Sequence, residues 1–516
     1  MHYQKGDSRH QLSILSLDQL IADDAFVRII DLLVDVMPLE ELGFEHTQLN
    51  TEGAPPFDPR DLFKLWLYGY RYQLRSGSKL AKACHINLEV KWLINNLTPS
   101  IRTVNYFRAN NAQAIINANK HFVQLLRSWK MIGGDLLAVD STKIDGQNSL
   151  KNNFNEKKIK RHLDYLDEKI ERINDQLEQE ALKNKNKRNY TDKEEELANE
   201  LEKAVDRKEF YEDVQEQVDK ADDGQVSLTD PDAKAVVIKR NIVKVGYSIQ
   251  ATVDAKNKMI IDVFKGGVND MNDLGKAAKR AQHILDRKHF DLLADAGYNN
   301  GAEIAYTERL GVRPFVAPRR NHQQSNPGFR KSDFIYDKKS DTYTCPAGEK
   351  LEFLLSFKKG SNKRPYNVRR YATLNCAVCA LRDQCTTNKQ GRFIERPAHT
   401  QIVERHNRRV QKHRLYYRQR QAIVEHVFGT WKRHWGLTHA HLRSKRKVLA
   451  EYNITALLYN LQRLLSIEGA DKVKLRLKKL ILIFYSTSYS TAHLSLIISY
   501  FFLNLSIINN RPHGSC

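Results

Sequence analysis

Residues 136–144 read LLAVDSTKI: four apolar residues, Leu136 to Val139, followed by a single carboxylate, Asp140. A short apolar run of this kind reads as a buried strand. Residues 290–300, FDLLADAGYNN, repeat the pattern, with an apolar run, Asp295 and then a Gly turn. Placing a bare carboxylate on a central strand costs several kcal/mol unless it is paired or bound to a cation. Either Asp alone reads as a cap on the turn after its strand. Two in one sheet point to a shared cation, and phosphodiester chemistry uses such a site, where two Mg²⁺ ions clamp the attacking and leaving oxygens.

Working outward, Lys244–Asp254 (KVGYSIQATVD) alternates as a strand should, and Lys258–Phe264 follows as its hairpin partner. Then come a helix over Asp273–Leu285, a strand over Phe290–Ala294, a helix over Ala302–Leu310 and a strand over Arg313–Ala317. This order predicts an α/β fold with a ribonuclease-H-like mixed sheet. Ahead of it, residues 1–130 read as helical, broken by Pro55, Pro56 and Pro59, with Asp58 capping a helix over Pro59–Tyr72. Amphipathic helices continue over Leu80–Asn96 and Arg102–Lys130. Such a bundle serves either to read DNA or to pack and dimerise.

Of the 516 residues, 83 are Lys or Arg and 61 are Asp or Glu, a net charge of +22 that favours a polyanionic partner over a purely metabolic role. The charge is uneven. Residues 153–223 hold 22 acidic and 15 basic side chains, so the remainder carries +29. Within that acidic stretch Leu163, Leu166, Ile170, Ile173 and Leu177 form one heptad seam, and Leu197, Leu201, Ala204, Tyr211, Val214 and Val218 a second. With a turn at Asn184–Asp192 they predict a helical hairpin, either a partner-binding arm or a solvated spacer. Lys358, Lys359, Lys363, Arg364, Arg369 and Arg370 cluster later, and the run Arg405 to Arg420 has seven cations and no anion. Tyr416, Tyr417, Trp431 and Trp435 are interleaved with these cations, and flat rings among cations suit unstacked bases beside phosphates.

Glu425 stands in QRQAIVEHVFGTWKRHWG, a helix apolar at Ala422, Ile423, Val427 and Phe428. Lys432 is seven residues on, two helical turns, and so shares the face of Glu425. A carboxylate and a phosphate-binding cation on one stripe suit an active site laid along DNA.

These pieces together resemble the DDE transposases of bacterial insertion sequences. The matching stretches, in order, are GFEHTQLNTEGAPPFDPRDLFKLWLYGY, RSGSKLAKAC, TVNYFRANN, LLAVDSTKI, NSLKNNF, SLTDPDAKAV, GYSIQATVDAKNKMIIDV, LLADAGYNNGAEI, a Cys-rich stretch and AIVEHVFGTWKRHWG, and they end near Leu465. The resemblance implies a catalytic core with Asp140, Asp295 and Glu425 as a triad for Mg²⁺ or Mn²⁺. It implies cleavage at element ends, joining of 3′-hydroxyls to target DNA, a homodimer on DNA and a nucleoid-associated, cytoplasmic protein. The alternative is a catalytically inactive derivative that recognises terminal inverted repeats. The tyrosine–arginine–glutamate–lysine signature of related transposases is offset here: its Arg position holds Gln421, with Arg418 and Arg420 nearby, and Tyr417 stands one residue from the Tyr position. The DNA-binding set is Lys432, Arg418, Arg420, Tyr417, Trp431 and Arg433.

Cys345, Cys376, Cys379 and Cys385 are spaced C-x30-C-x2-C-x5-C, compatible with structural Zn²⁺ or with reduced thiols. Six cysteines are too few for a disulfide scaffold, and the start of the chain shows no basic-then-apolar signal pattern, which sets a reducing compartment as the expectation. The predicted domains are 1–130 helical; 131–152 with 224–320, the first part of the core; 153–223, the hairpin; 321–400, a basic Cys-rich insertion; 401–468, core helices with Glu425; and 469–516, an atypical tail. Residues 480–508 of that tail are uncharged and apolar but rich in Ser, Thr and Tyr. We read them as an altered or frame-shifted terminus rather than a membrane anchor.

Overall fold

The computed structural model describes residue 10 and residues 14–49, 51–183, 192–221, 223–239, 242–318, 328–359 and 365–488. The predicted turn at 184–191, Lys363, Arg364, Cys516 and the tail beyond Ser488 lie outside the described residues. The helices are α1 (Phe26–Asp35), α2 (Pro59–Arg71), α3 (Gly77–Ile86), α4 (Leu88–Leu93), α5 (Ile101–Asn110), α6 (Ala112–Ser128), α7 (Glu156–Lys183), α8 (Asp192–Lys220), α9 (Leu274–Leu285), α10 (Gly301–Arg309), α11 (Arg382–Cys385), α12 (Thr400–Lys412), α13 (Arg414–Gly429), α14 (Lys445–Glu468) and α15 (Ala470–Ser488). The strands are β1 (Leu136–Asp145), β2 (Asn153–Asn155), β3 (Gln225–Ser227), β4 (Lys234–Lys239), β5 (Ile242–Asp254), β6 (Ile260–Lys265), β7 (Asp291–Ala294), β8 (Arg313–Val316), β9 (Ile335–Asp337), β10 (Thr342–Thr344), β11 (Lys350–Lys359), β12 (Tyr366–Ala372) and β13 (Ile394–Pro397). The chain divides into two compact units, residues 1–131, 144–247 and 429–516 in the first and 132–143 and 248–428 in the second.

In the first unit, Asp58 accepts the Arg60 N–H at 2.7 Å and starts α2 with Pro59 in the first turn, where a missing N–H costs nothing. The short helices expected after it divide at two asparagines. Asn87 divides α3 from α4, where its side chain accepts the Val90 N–H at 3.0 Å. Buried Asn111 divides α5 from α6 and accepts the Glu45 N–H at 2.7 Å. In both places a short amide side chain competes with the backbone ladder, as Asn does at helix ends. Helix α14 supplies the centre of this unit's core, with Ile454, Leu457, Leu458 and Leu461 fully buried. In the acidic stretch α7 and α8 pack against each other. Ile159, Leu166, Ala204, Tyr211, Val214 and Val218 make its own apolar cluster, and β2 pairs with β3 at its base. Among the described residues, no helix is long and apolar enough to cross a membrane.

The second unit is built on strands in the order β6–β5–β1–β7–β8. Strand β6 runs antiparallel to β5, from Ile249↔Lys265 to Val253↔Ile260. Strands β1, β7 and β8 run parallel, with Leu136↔Asp291 and Asp291↔Arg313 in register. Leu137, Ala138, Val139, Leu292, Leu293 and Ala294 are fully buried, which explains why these strands are apolar without alternation. Between β8 and α12 lies a five-stranded sheet ordered β13–β12–β11–β10–β9, with its own core of Phe334, Tyr343, Leu351, Tyr371 and Ile394.

Candidate active site

The register of β1 and β7 decides what lies at their ends. Ala138 pairs with Leu293, and two residues further on stand Asp140, midway along β1, and Asp295, one residue past the end of β7. Both carboxylates therefore reach the same edge of the second unit's sheet. Asp140 Oδ1 accepts its neighbour's Ser141 N–H at 2.7 Å, and Oδ2 accepts from Arg420 Nη1 at 3.0 Å. Asp295 opens a short turn over Ala296–Tyr298, where its Oδ1 accepts the Gly297 N–H at 2.8 Å. The cap reading of Asp295 is thus fulfilled, and its carboxylate stands beside that of Asp140 as well. Burial first, then the negative charge of Asp295, pushes the Asp140 carboxyl up to about 6, while Arg420 pulls the other way.

Arg420 belongs to α13, and three side chains hold that helix across the strand ends. The Tyr416 hydroxyl donates to Asp291 Oδ2 at 2.7 Å, and the Tyr417 hydroxyl donates to the Ala294 carbonyl at 3.2 Å. Arg420 is the third. Tyr417 and Arg420 are one helical turn apart, so they point the same way from the helix. Glu425 is exposed and accepts from Gln421 Nε2 at 3.1 Å. Tyr417, Gln421 and Glu425 follow one another at i, i+4 and i+8 along one stripe. Among the described residues no three His, Cys, Asp or Glu are gathered to hold a metal ion. Asp140 and Asp295 are brought together; Glu425 stands on the helix that carries their arginine, engaged with Gln421. The paired oxygen donors, whose repulsion Arg420 only partly relieves, fit a hard divalent cation.

The cationic set is smaller than the sequence suggested. Arg405 and Arg409 both pair with Glu308, at 2.8 and 2.7 Å. Lys359 and Arg370 share Glu395, and Arg369 pairs with Asp341. Among the described residues, exposed Arg408, Lys412, Arg414 and Arg418 make no ion pair. Arg433 is exposed and Lys432 half-buried. Trp431 must be corrected: it is fully buried in the first unit and packs edge-on against Tyr452, 5.6 Å between ring centres, so its ring cannot stack on bases. Trp435 is buried too. Helix α13 ends at Gly429 and Thr430–His434 form a π-helical turn, so the α-helical period alone no longer gives the face of Lys432.

Cys345, Cys376, Cys379 and Cys385 line one apolar cavity with Phe334 and Leu351. All four are free thiols, and burial pushes the Cys385 thiol up. Sequence reasoning passed over Lys143, Gln250, Asp270 and Tyr298, which surround the carboxylate pair. The one available signal was Lys143, a cation inside the apolar strand already singled out.

Comparison with known proteins follows the same lines. Residues 344–465 match the transposase DDE domain, and residues 15–110 match the transposase domain DUF772. Both matches are to transposase domains, the kind of protein that the motifs of the chain resemble. Glu425 and the four clustered cysteines lie inside the first match; Asp140 and Asp295 lie outside both. Comparison with curated proteins gives no match. Among solved structures, the piggyBac transposase synaptic complex with hairpin DNA aligns with 95% of this chain and 84% of its own at 11% identity and a TM-score of 0.29. That likeness is too low to bear on the fold.

Proposed function

We propose that this chain is a metal-dependent DNA transposase that cuts the ends of its element and joins the freed 3′-hydroxyls to target DNA. The observation that carries the reading is the Asp140–Asp295 pair, brought side by side by the parallel register of β1 and β7, with Arg420 linking Asp140 to the Glu425 helix. Strand order supports a ribonuclease-H-like core: in chain order the strands lie third, second, first, fourth, fifth across β6, β5, β1, β7 and β8. Asp140, Asp295 and Glu425 would hold Mg²⁺ or Mn²⁺, which supplies an activated water and charge neutralisation at the phosphorus. In the first step a water oxygen bonds to the phosphorus as its bond to the DNA 3′-oxygen breaks, the water giving up a proton and the 3′-oxygen taking one up; in the second that 3′-hydroxyl gives up its proton and bonds to a target phosphorus as the target's own 3′-oxygen departs and is protonated. Arg408, Lys412 and Arg418 hold backbone phosphates along α12 and α13, and Arg433 and Lys432 are phosphate contacts of the first unit. Tyr417 fixes α13 on the Ala294 carbonyl, and Arg420 keeps Asp140 ionised and oriented. Most of the acceleration comes from positioning and from charge fixed in advance. The protein works as a homodimer on DNA, near the nucleoid.

The test is incubation of the chain with Mg²⁺, labelled element-end DNA and a target plasmid. Joined product is expected. A bandshift without cutting identifies the inactive, repeat-binding derivative instead, and cutting without joining a nuclease. The C-x30-C-x2-C-x5-C spacing, with all four thiols lining one cavity though not gathered as a ligand set, supports a second, structural site for Zn²⁺ that would draw them together. Metal analysis after dialysis should return about one zinc per chain; its absence assigns the cluster to reduced, buried thiols.

A further inference from the structure

The carboxylate pair is flanked by a polar knot to which the reading above gives no role. Lys143, three residues after Asp140 on β1, donates from Nζ to Asp270 Oδ1 at 2.9 Å, to Ser248 Oγ at 2.6 Å and to Ser141 Oγ at 3.1 Å. Gln250 on β5 donates from Nε2 to the same Asp270 oxygen at 2.8 Å and to Asp273 Oδ2 at 3.3 Å. The amide oxygen of Gln250 accepts the hydroxyl of Tyr298, which is fully buried and closes the turn that Asp295 opens. One oxygen of Asp270 is therefore the common acceptor of two donors. One leads back along β1 to Asp140, and the other leads through Gln250 and Tyr298 to Asp295. The second oxygen of Asp270 faces the Asp295 turn: a Cβ added at Gly297 would lie 3.6 Å from Asp270 Oδ2 and 2.9 Å from Asp295 Oδ1. Lys143 and Asp270 are both largely enclosed, at 16% and 17% exposure. An enclosed ion pair of this kind adds little net stability, because desolvation offsets attraction. What it does supply is fixed geometry, as partners behind ligating side chains do.

We propose that Asp270 is a positioning residue that sets the separation of Asp140 and Asp295, its Oδ1 accepting from Lys143 on one side and from Gln250 of the Gln250–Tyr298 pair on the other. The inference rests on Asp140 and Asp295 being the cleaving pair. It is tested on the full chain by single-turnover cleavage of element-end DNA, bandshift of the same DNA, thermal midpoint, and Mn²⁺ uptake followed by calorimetry without DNA. Asp270→Ala should cut about 10- to 100-fold more slowly and bind Mn²⁺ about tenfold more weakly, with an unchanged bandshift. Asp270→Asn keeps an acceptor oxygen for both donors and should recover to within about threefold of the parent chain. Parent-level cutting by Asp270→Ala overturns the proposal. So does Asp270→Asn as inactive as Asp270→Ala, which would make the Asp270 charge itself a ligand. Should Asp270→Ala melt below the assay temperature, Tyr298→Phe removes one hydroxyl without changing shape. It should slow cutting about tenfold, and an unchanged rate counts against the proposal. Failure of the parent reading shows separately, as cleavage that survives in Asp140→Ala.

Discussion

His406 shows how one buried side chain ties pH to the fold of the second unit. It is fully enclosed, and its Nε2 accepts the Val316 N–H at 3.1 Å, so the folded protein needs it neutral. Burial, with Arg409 assisting, lowers it from its ordinary 6.5 to about 4. The unfolded chain therefore binds the extra proton between those values. The stabilisation is complete above pH 6.5 and is lost as pH falls toward 4, about 3 kcal/mol in all. Urea unfolding of His406→Gln, which keeps an acceptor for Val316, should lose that part of the pH slope; a slope equal to the parent's contradicts the assignment. Asp140 and Asp295 were singled out in the sequence because each follows an apolar run, and the register of β1 and β7 brings the two runs side by side; Glu425 was singled out as an acid in an apolar helix pattern. Arg420 was not legible as the partner of Asp140. It stands one residue off the expected spacing, and only the docking of α13 through Tyr416 and Tyr417 shows where it points. The burial of Trp431 was hidden for a like reason, since nothing near it in sequence reveals that Tyr452 covers it.

At the scale of elements, periodicity served best where an element packs against its own neighbour. The hairpin of α7 and α8 was readable from its seams because its core is its own. Asn155 pairs with Gln225 at its base, so the chain enters and leaves at one place. Replacing residues 156–220 by a short turn should therefore shift the thermal midpoint of the remainder by no more than about 3 °C, near 1 kcal/mol. A larger loss, seen by calorimetry, would mean that the hairpin supports the rest of the fold. Short helices were expected over 80–96 and 102–130, and the structure puts their divisions at Asn87 and Asn111, which apolar spacing alone does not mark. The cation run Arg405–Arg420 misled because its anions, Glu308 and Asp140, come from distant sequence.

At the scale of the molecule, each unit carries a node of acidic charge, buried in the first and half-buried in the second. In the first it is Glu451, enclosed on α14, which accepts from Tyr70 at 3.0 Å, from Arg108 at 3.3 Å and from the His441 N–H at 2.9 Å. These bonds join the N-terminal helices to the C-terminal one across more than 300 residues. Glu451→Ala leaves Arg108 buried without its anion and should cost about 3–5 kcal/mol in urea unfolding; a loss below about 1 kcal/mol would show the node to be dispensable. In the second unit the charge is the Asp140–Asp295 pair, on which the functional reading depends. The most direct measurement is single-turnover cleavage of labelled element-end DNA by Asp140→Asn, Asp295→Asn and the double variant. If the two carboxylates act as one device, each single change should abolish cutting as fully as both together, by about 1000-fold or more, with end binding retained. Cutting near the parent rate by either single variant would contradict the account.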